Sequence, residues 1–220
     1  MMGYMANPDL GDAHVKEIIG KNFAAIDNDG WLRSGDKGVK DDCGIIKITG
    51  RYKELIIGAG GENVAPIPVE DALKAACPAI SEVLMVGNMR PYCVALITLV
   101  AEGANNEVPG TDNLDGPALA LGATFDVKTI SGAVKSEGFM NAISQKIDEV
   151  NKNERAVPKP PAEIKRFTIL PSNFSVQNEE FTPTFKLKRA YVENKFKDVV
   201  SQLYDKDIQF GMFVPTEASM

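Results

Sequence analysis

Two short blocks within residues 30–70 put a charged side chain beside a glycine: Ser34-Gly35-Asp36 and Gly50-Arg51-Tyr52-Lys53. A glycine there lets the backbone turn tightly and approach a ligand closely. Asp36 offers two acceptor oxygens, which suit the vicinal hydroxyls of a ribose. Arg51 offers a planar fork of donors for the same sugar or its phosphate. Far downstream, Thr182-Pro183-Thr184-Phe185-Lys186-Leu187-Lys188-Arg189 forms a basic cluster. Together the three blocks suggest nucleotide chemistry. Each also has a plain structural reading: Asp36 as a turn aspartate over the bend 35–38, Arg51 as half of a surface ion pair, and the Lys-x-Lys-Arg run as a solvated loop face.

Other candidates carry less. Gly58-Ala59-Gly60-Gly61 invites a phosphate-loop reading but fits neither GxxxxGK[ST] nor GxGxxG, so a flexible loop after a strand is the better account. The single His14 has no histidine or cysteine near it in sequence, and no Ser/His/Asp or Cys/His set can be assembled around one imidazole. Cys43, Cys77 and Cys93 have no metal-ligand spacing, and an odd count gives no disulfide framework. They read as buried or half-buried thiols in a reducing compartment.

The elements that must position these residues follow from pattern and punctuation. Residues 1–29 form an arm, with turn or cap signals at Pro8-Asp9 and Gly11-Asp12 and a short helix through His14, Ile18 and Ile19. Asn28-Asp29-Gly30 turns the chain. Paired strands are predicted over 31–58: Trp31-Leu32-Arg33, a turn at 41–44, then 45–49, with Gly50 as a break and an extended run at 54–57. Pro66-Ile67-Pro68 precedes a helix with Val69, Ala72, Leu73 and Ala76 on one face, and Glu70 and Asp71 suit the positive end of its dipole. Near-continuous apolar strands at 83–87 and 93–100 imply cover on both faces. A Gly-, Asn- and Asp-rich insertion occupies 101–136, with one short helix at 118–121. Phe139, Ile143, Ile147 and Val150 mark a helix of about three turns, ended by Val157-Pro158-Lys159-Pro160-Pro161. A strand at 164–170 follows, and Val192, Phe196, Val199, Val200 and Leu203 stripe one final helix. The fold class is α+β: a β-hairpin arm, 1–51, then a compact α/β domain, 52–204, and a tail, 205–220, of no assigned role.

Composition fits that plan. The chain has 220 residues, 44% hydrophobic and 25% charged, enough for one moderate domain plus arms. A net charge of −6 does not favour nonspecific nucleic-acid binding. No apolar run approaches the ~20 residues of a bilayer-spanning helix, and no basic start leads into an apolar stretch as in a signal peptide. A cytoplasmic location is expected, with peripheral membrane association left open.

The blocks GWLRSGD, ITGRYKELIIGAGGENVAPIPVED and TPTFKLKR resemble the C-terminal portion of adenylate-forming (AMP-binding) enzymes, and among these the long-chain and very-long-chain acyl-CoA synthetases of the bubblegum type. The resemblance runs from Met1 to about residue 200. It implies a C-terminal lid domain and a two-step reaction of fatty acid, ATP and CoA: an acyl-adenylate forms, then a CoA thioester. Lys186 would be the catalytic lysine of the family's last motif; Phe185 stands where glycine is usual, which leaves Lys188 as an alternative. Asp36 would hold the ribose hydroxyls, and Arg51 would add a donor to the ribose or phosphate. Lys53 would be the hinge between adenylating and thioester-forming arrangements. Gly60 and Gly61 would move with it and line the CoA tunnel, with Glu62 and Asn63 toward the neighbouring domain. Mg²⁺ would accompany ATP, its ligands lying outside this chain.

The large N-terminal domain of such enzymes carries a TSGTTGxPKG-type phosphate loop that has no counterpart here, and Met1-Met2-Gly3-Tyr4-Met5 is similar to an interior block at that domain's end. The chain therefore reads as a fragment, a truncated reading frame or an orphan C-terminal half, inactive alone. The alternative is a non-catalytic lid that binds CoA or a protein. A substrate switch to an amino or aryl acid fits TPTFKLKR and the insertion less well.

Overall fold

Polar strand sequences and aspartate-built turns dominate the first fifty residues, and apolar strands the rest. The computed structural model describes residues 4–205 and 210–211, with the side chains of Thr49 and Lys53 excepted. Met1-Met2-Gly3 and most of the expected tail lie outside the described residues. Two compact units result, Met1–Lys53 and Glu54–Met220.

In the first unit, Asn7 caps a 3-10 turn at Pro8–Leu10 by accepting from the Asp9 amide. Helix α1, Asp12–Ala25, follows and carries His14. The Asp27 carboxylate accepts from the amides of Asp29 and Trp31 and builds the turn. Strand β1, Asp36–Lys40, pairs antiparallel with β2, Ile46–Arg51. Asp41 shapes their connection, accepting from Cys43 and Ile45. No described residue of 4–53 is fully buried, and Trp31, Phe23, Ile46 and Ile48 are all more than half exposed.

Two expectations are corrected here. Trp31-Leu32-Arg33 is not a strand; Leu32 makes one isolated bridge to Ile26, and the polar segment 36–40 pairs instead. Gly50 does not break β2. Its φ of 155° is extended enough to stay paired with Lys37, next to a register shift between Lys37 and Gly38.

In the second unit, the expected extended run at 54–57 shrinks to β3, Ile56–Ile57, after a 3-10 turn at Tyr52–Glu54 that bridges the boundary residues. β3 pairs with β4, Asn63–Val64. Helix α2, Pro66–Ala76, starts with proline in its first turn, where a missing N–H costs nothing. The main sheet runs β5 (Ile80–Val86), β6 (Cys93–Leu99), β7 (Ile164–Ile169), β8 (Phe210–Gly211). β5 and β6 are antiparallel; β6, β7 and β8 are parallel. Every residue of β6 is buried, as strands covered on both faces should be.

Alternation along the strands feeds two cores. Met85, Ala95, Ile97 and Phe167 pack with Leu73 of α2 and with Phe139 and Ile143 of the long helix that crosses between β6 and β7. Leu84, Val86, Val94 and Leu96 pack on the other face with Phe181, Val192, Val200 and Leu203.

The insertion holds two helices where one was expected: α3, Gly116–Ala123, and α4, Ile130–Lys135. The Thr129 hydroxyl caps α4 by accepting from Gly132 N–H at 3.0 Å. Helix α5, Glu137–Asn151, is longer than the predicted three turns, and its C-cap is Lys152, well before the proline-rich segment credited with ending it. The predicted final helix is two, α6 (Arg189–Lys195) and α7 (Lys197–Asp205). The chain leaves helical geometry at Phe196, φ −103° and ψ 20°, yet the apolar stripe continues through the break. Among the described residues no helix is long and apolar enough to cross a membrane.

Candidate functional site

Asp36 opens β1 and Arg51 closes β2, so the antiparallel register sets them opposite each other. The Arg51 Nε lies 3.2 Å from the Asp36 Oδ1, with the Asp36 side chain 28% exposed. Ser34 Oγ accepts from the Asp36 amide at 3.2 Å. Asp36 is thus a strand residue rather than the turn aspartate of the plain reading, and it keeps a carboxylate oxygen clear of the ion pair. Lys53 lies in the 3-10 turn after β2; its side chain lies outside what is described.

Gly58, Gly60, Gly61 and Glu62 form the turn between β3 and β4. The Gly61 φ of 86° is a backbone conformation natural to glycine. Gly58 N–H donates to Glu62 O and Gly61 N–H to Gly58 O, both at 2.9 Å, and Ala59 N–H donates to Arg90 O at 3.0 Å. These amides serve carbonyls, so they do not form a nest for phosphate. The turn borders a cavity of about 80 Å³ lined by Gly58, Gly60, Glu62, Arg90, Tyr92 and Cys93. The Cys93 thiol donates to Pro161 O at 3.4 Å, and burial pushes its pKa up to about 11. The Cys77 thiol is also buried and raised, whereas Cys43 is exposed. The expectation that all three thiols are covered therefore fails at Cys43, which sits in the connection between β1 and β2.

Lys186 sits on an exposed loop held closed by its own backbone. Thr182 N–H donates to Lys186 O at 2.9 Å, and Lys186 N–H donates to Thr182 Oγ1 at 3.1 Å. Phe181 and Leu187 form an isolated bridge at its base, and Lys188 N–H donates to Glu180 O at 2.8 Å. Phe185 takes a φ of 56°, in the left-handed region that favours glycine. This is the position where the resembled motif has glycine. Lys188 faces the Tyr191 ring at 5.7 Å, and Lys186, paired through its backbone with Thr182, is the lysine inside the closed loop.

Two buried carboxylates flank this loop, and the sequence reading missed both. Glu180 is 2% exposed; it accepts from Lys195 Nζ at 2.8 Å and from Ser175 N–H at 2.9 Å. Glu70, assigned above to the α2 dipole, is instead 5% exposed and forms a bidentate pair with Arg189. Burial raises both carboxyls from their ordinary value, against the pull of Arg189 and Lys195. One local signal existed for Glu70: it follows Val69 and precedes Leu73 by three, on the apolar face of α2. Among the described residues no group of three or more His, Cys, Asp or Glu side chains could hold a metal ion.

Residues 53–113 match the family model described as the AMP-binding enzyme C-terminal domain. The chain is 40% identical over 193 residues to the long-chain-fatty-acid–CoA ligase ACSBG1 of Rattus norvegicus, covering 86% of this chain and 26% of that protein. It is 43% identical over 190 residues to ACSBG2 of Gallus gallus, covering 84% of this chain and 24% of that protein. The chain therefore spans about a quarter of the length of these curated relatives. In fold it is like the adenylation domain of a carboxylate reductase from Mycobacterium chelonae, with a TM-score of 0.65 at 18% identity over 86% of this chain and 25% of that one. The A domain of a carboxylic acid reductase from Segniliparus rugosus gives 0.63 at 17% identity, over 83% of this chain and 24% of that one. In sequence, the chain matches the C-terminal portion of long-chain-fatty-acid–CoA ligases.

Proposed function

We propose that this chain supplies the lid of an ATP-dependent long-chain fatty acid–CoA ligase, with 52–204 as the lid domain, 101–136 as its insertion and 1–51 as the end of the large N-terminal domain. The observation that carries the reading is the roughly 40% identity to such ligases over most of the chain, and the exposed, braced Lys186 loop supports it.

In the first half-reaction a fatty acid carboxylate attacks the α-phosphorus of ATP. A carboxylate oxygen–phosphorus bond forms as the bond to pyrophosphate breaks. Two anions meet, and charge spreads over the phosphoryl oxygens, so a placed ammonium lowers the barrier. Lys186 provides it. Asp36 accepts from the ribose hydroxyls and Arg51 donates to the ribose or phosphate. In the second half-reaction the CoA thiol attacks the acyl carbonyl and AMP leaves. Rotation of the lid about Lys53 withdraws Lys186 and brings the 58–62 turn, with Gly60 and Gly61, to the pantetheine. ATP enters with Mg²⁺, whose ligands belong to the remainder of the enzyme.

The test uses a chimera that joins the region of the rat relative preceding its matched segment to this chain. Fatty-acid-dependent ATP–pyrophosphate exchange and acyl-CoA formation are expected in the chimera. Lys53→Pro should retain the exchange and lose the thioester. No exchange with any long-chain acid, from a chimera that folds, would contradict the reading.

A further inference from the structure

We propose that Glu70 is the positioning residue of the Lys186 loop, acting through Arg189; this rests on the lid reading above. The sequence places Glu70 and Arg189 119 residues apart, and the fold joins three elements at one carboxylate. Glu70 lies on the buried face of α2. Its Oε1 accepts from the amide of Met85 at 2.7 Å and from Arg189 Nη1 at 2.9 Å. Its Oε2 meets Arg189 Nη2. Among the described residues β5 is an edge strand of the main sheet, and Met85 N–H belongs to it, so the carboxylate satisfies a donor on the side away from β6.

Arg189 is the first residue of α6 and stands three residues after Lys186. Within that interval Lys188 is tied to the Glu180 carbonyl. The Arg189 side chain is 21% exposed and that of Glu70 7%, so the pair is shielded from solvent and its planar fork fixes both distance and angle. Between Thr182 and Lys186 the loop is closed by its own hydrogen bonds, and its base is tied to Phe181 and Glu180. Glu70 therefore locks the exit of the loop to the sheet edge, and the limb that carries Lys186 inherits its direction from that lock.

The test begins on the 220-residue chain, by amide hydrogen exchange. Glu70→Gln keeps an acceptor for Met85 but loses the charged fork. Exchange over 182–189 should rise about tenfold or more, the scale of one lost charge-assisted hydrogen bond, with β6 unchanged. Unchanged exchange over 182–189 would overturn the proposal. If β6 loosens too, Arg189→Lys, which keeps the charges and loses the fork, is decisive: loosening confined to 182–189 supports positioning, and a uniform rise overturns it.

In the chimera, Glu70→Gln should lower kcat for pyrophosphate exchange about tenfold and leave KM for ATP within about twofold. An unaltered kcat overturns the positioning role. Lys186→Ala in the same assay separates the causes: a crippled Lys186→Ala leaves the lid reading standing with only the Glu70 inference lost, whereas an active one removes the lid reading itself.

Discussion

Asp36 and Arg51 face each other across the β1–β2 register, with Arg51 Nε 3.2 Å from Asp36 Oδ1. The two side chains proposed for one nucleotide thus neutralise each other at the surface. The Arg51 side chain is 57% exposed, and such pairs contribute about 0–1 kcal/mol. Asp36→Ala should therefore lower the unfolding free energy, measured in urea, by no more than about 1 kcal/mol. In the chimera the same substitution should raise KM for ATP about tenfold, the scale of one hydrogen bond to a charged group. A large loss of stability with unaltered KM would return Asp36 to a purely structural role.

Phe185 occupies left-handed backbone, φ 56°, and the residue is 47% exposed. Left-handed geometry costs a side-chain-bearing residue about 1–2 kcal/mol, part of which glycine returns through the flexibility it adds to the unfolded chain. Phe185→Gly is expected to stabilise by up to about 1 kcal/mol, measured by urea unfolding. A clear destabilisation would mean that the Phe185 ring braces the loop.

Glu70 gives stability a defined pH dependence. Burial holds its carboxyl above the ordinary 4.5, with Arg189 opposing. The folded state binds this proton more tightly, so the contribution is complete below pH 4.5 and is lost as pH rises through the folded value. Glu180 acts in the same direction. Glu70→Gln has no proton to lose and should flatten the fall in urea midpoint above pH 4.5. An identical slope in wild type and variant would contradict this.

Thiol accessibility separates the three cysteines. Cys43 is exposed and Cys77 and Cys93 are buried, with both buried thiols pushed up by desolvation. A disulfide reagent at mildly alkaline pH should titrate Cys43 alone in the native chain, and all of Cys43, Cys77 and Cys93 in denaturant. Rapid native labelling of Cys93 would show that its cavity opens.

Local pattern carried the central elements. The spacing of Phe139, Ile143, Ile147 and Val150 defines α5, and the unbroken apolar run of β6 states that both its faces are covered. Pattern failed where burial is absent or continuous. β1 is polar because four of its five residues are exposed, so apolar Trp31 and Leu32 drew the strand to the wrong place. Val192, Phe196 and Val200 keep helical spacing across the break at Phe196, which hid the boundary between α6 and α7. The motif residues Asp36, Arg51 and Lys186 were singled out as candidates because local chemistry and family resemblance meet there. Glu70 was not, because its partner is set by tertiary contact.

The most direct test measures both half-reactions separately in the chimera with Lys186→Ala. Adenylate formation, followed as ATP–pyrophosphate exchange, should fall by about 10²–10³-fold, as for loss of one preorganised charge at a transition state. Transfer from a supplied acyl-adenylate to CoA should stay near the wild-type rate. Equal losses in the two half-reactions would contradict a role for the Lys186 ammonium at the phosphorus.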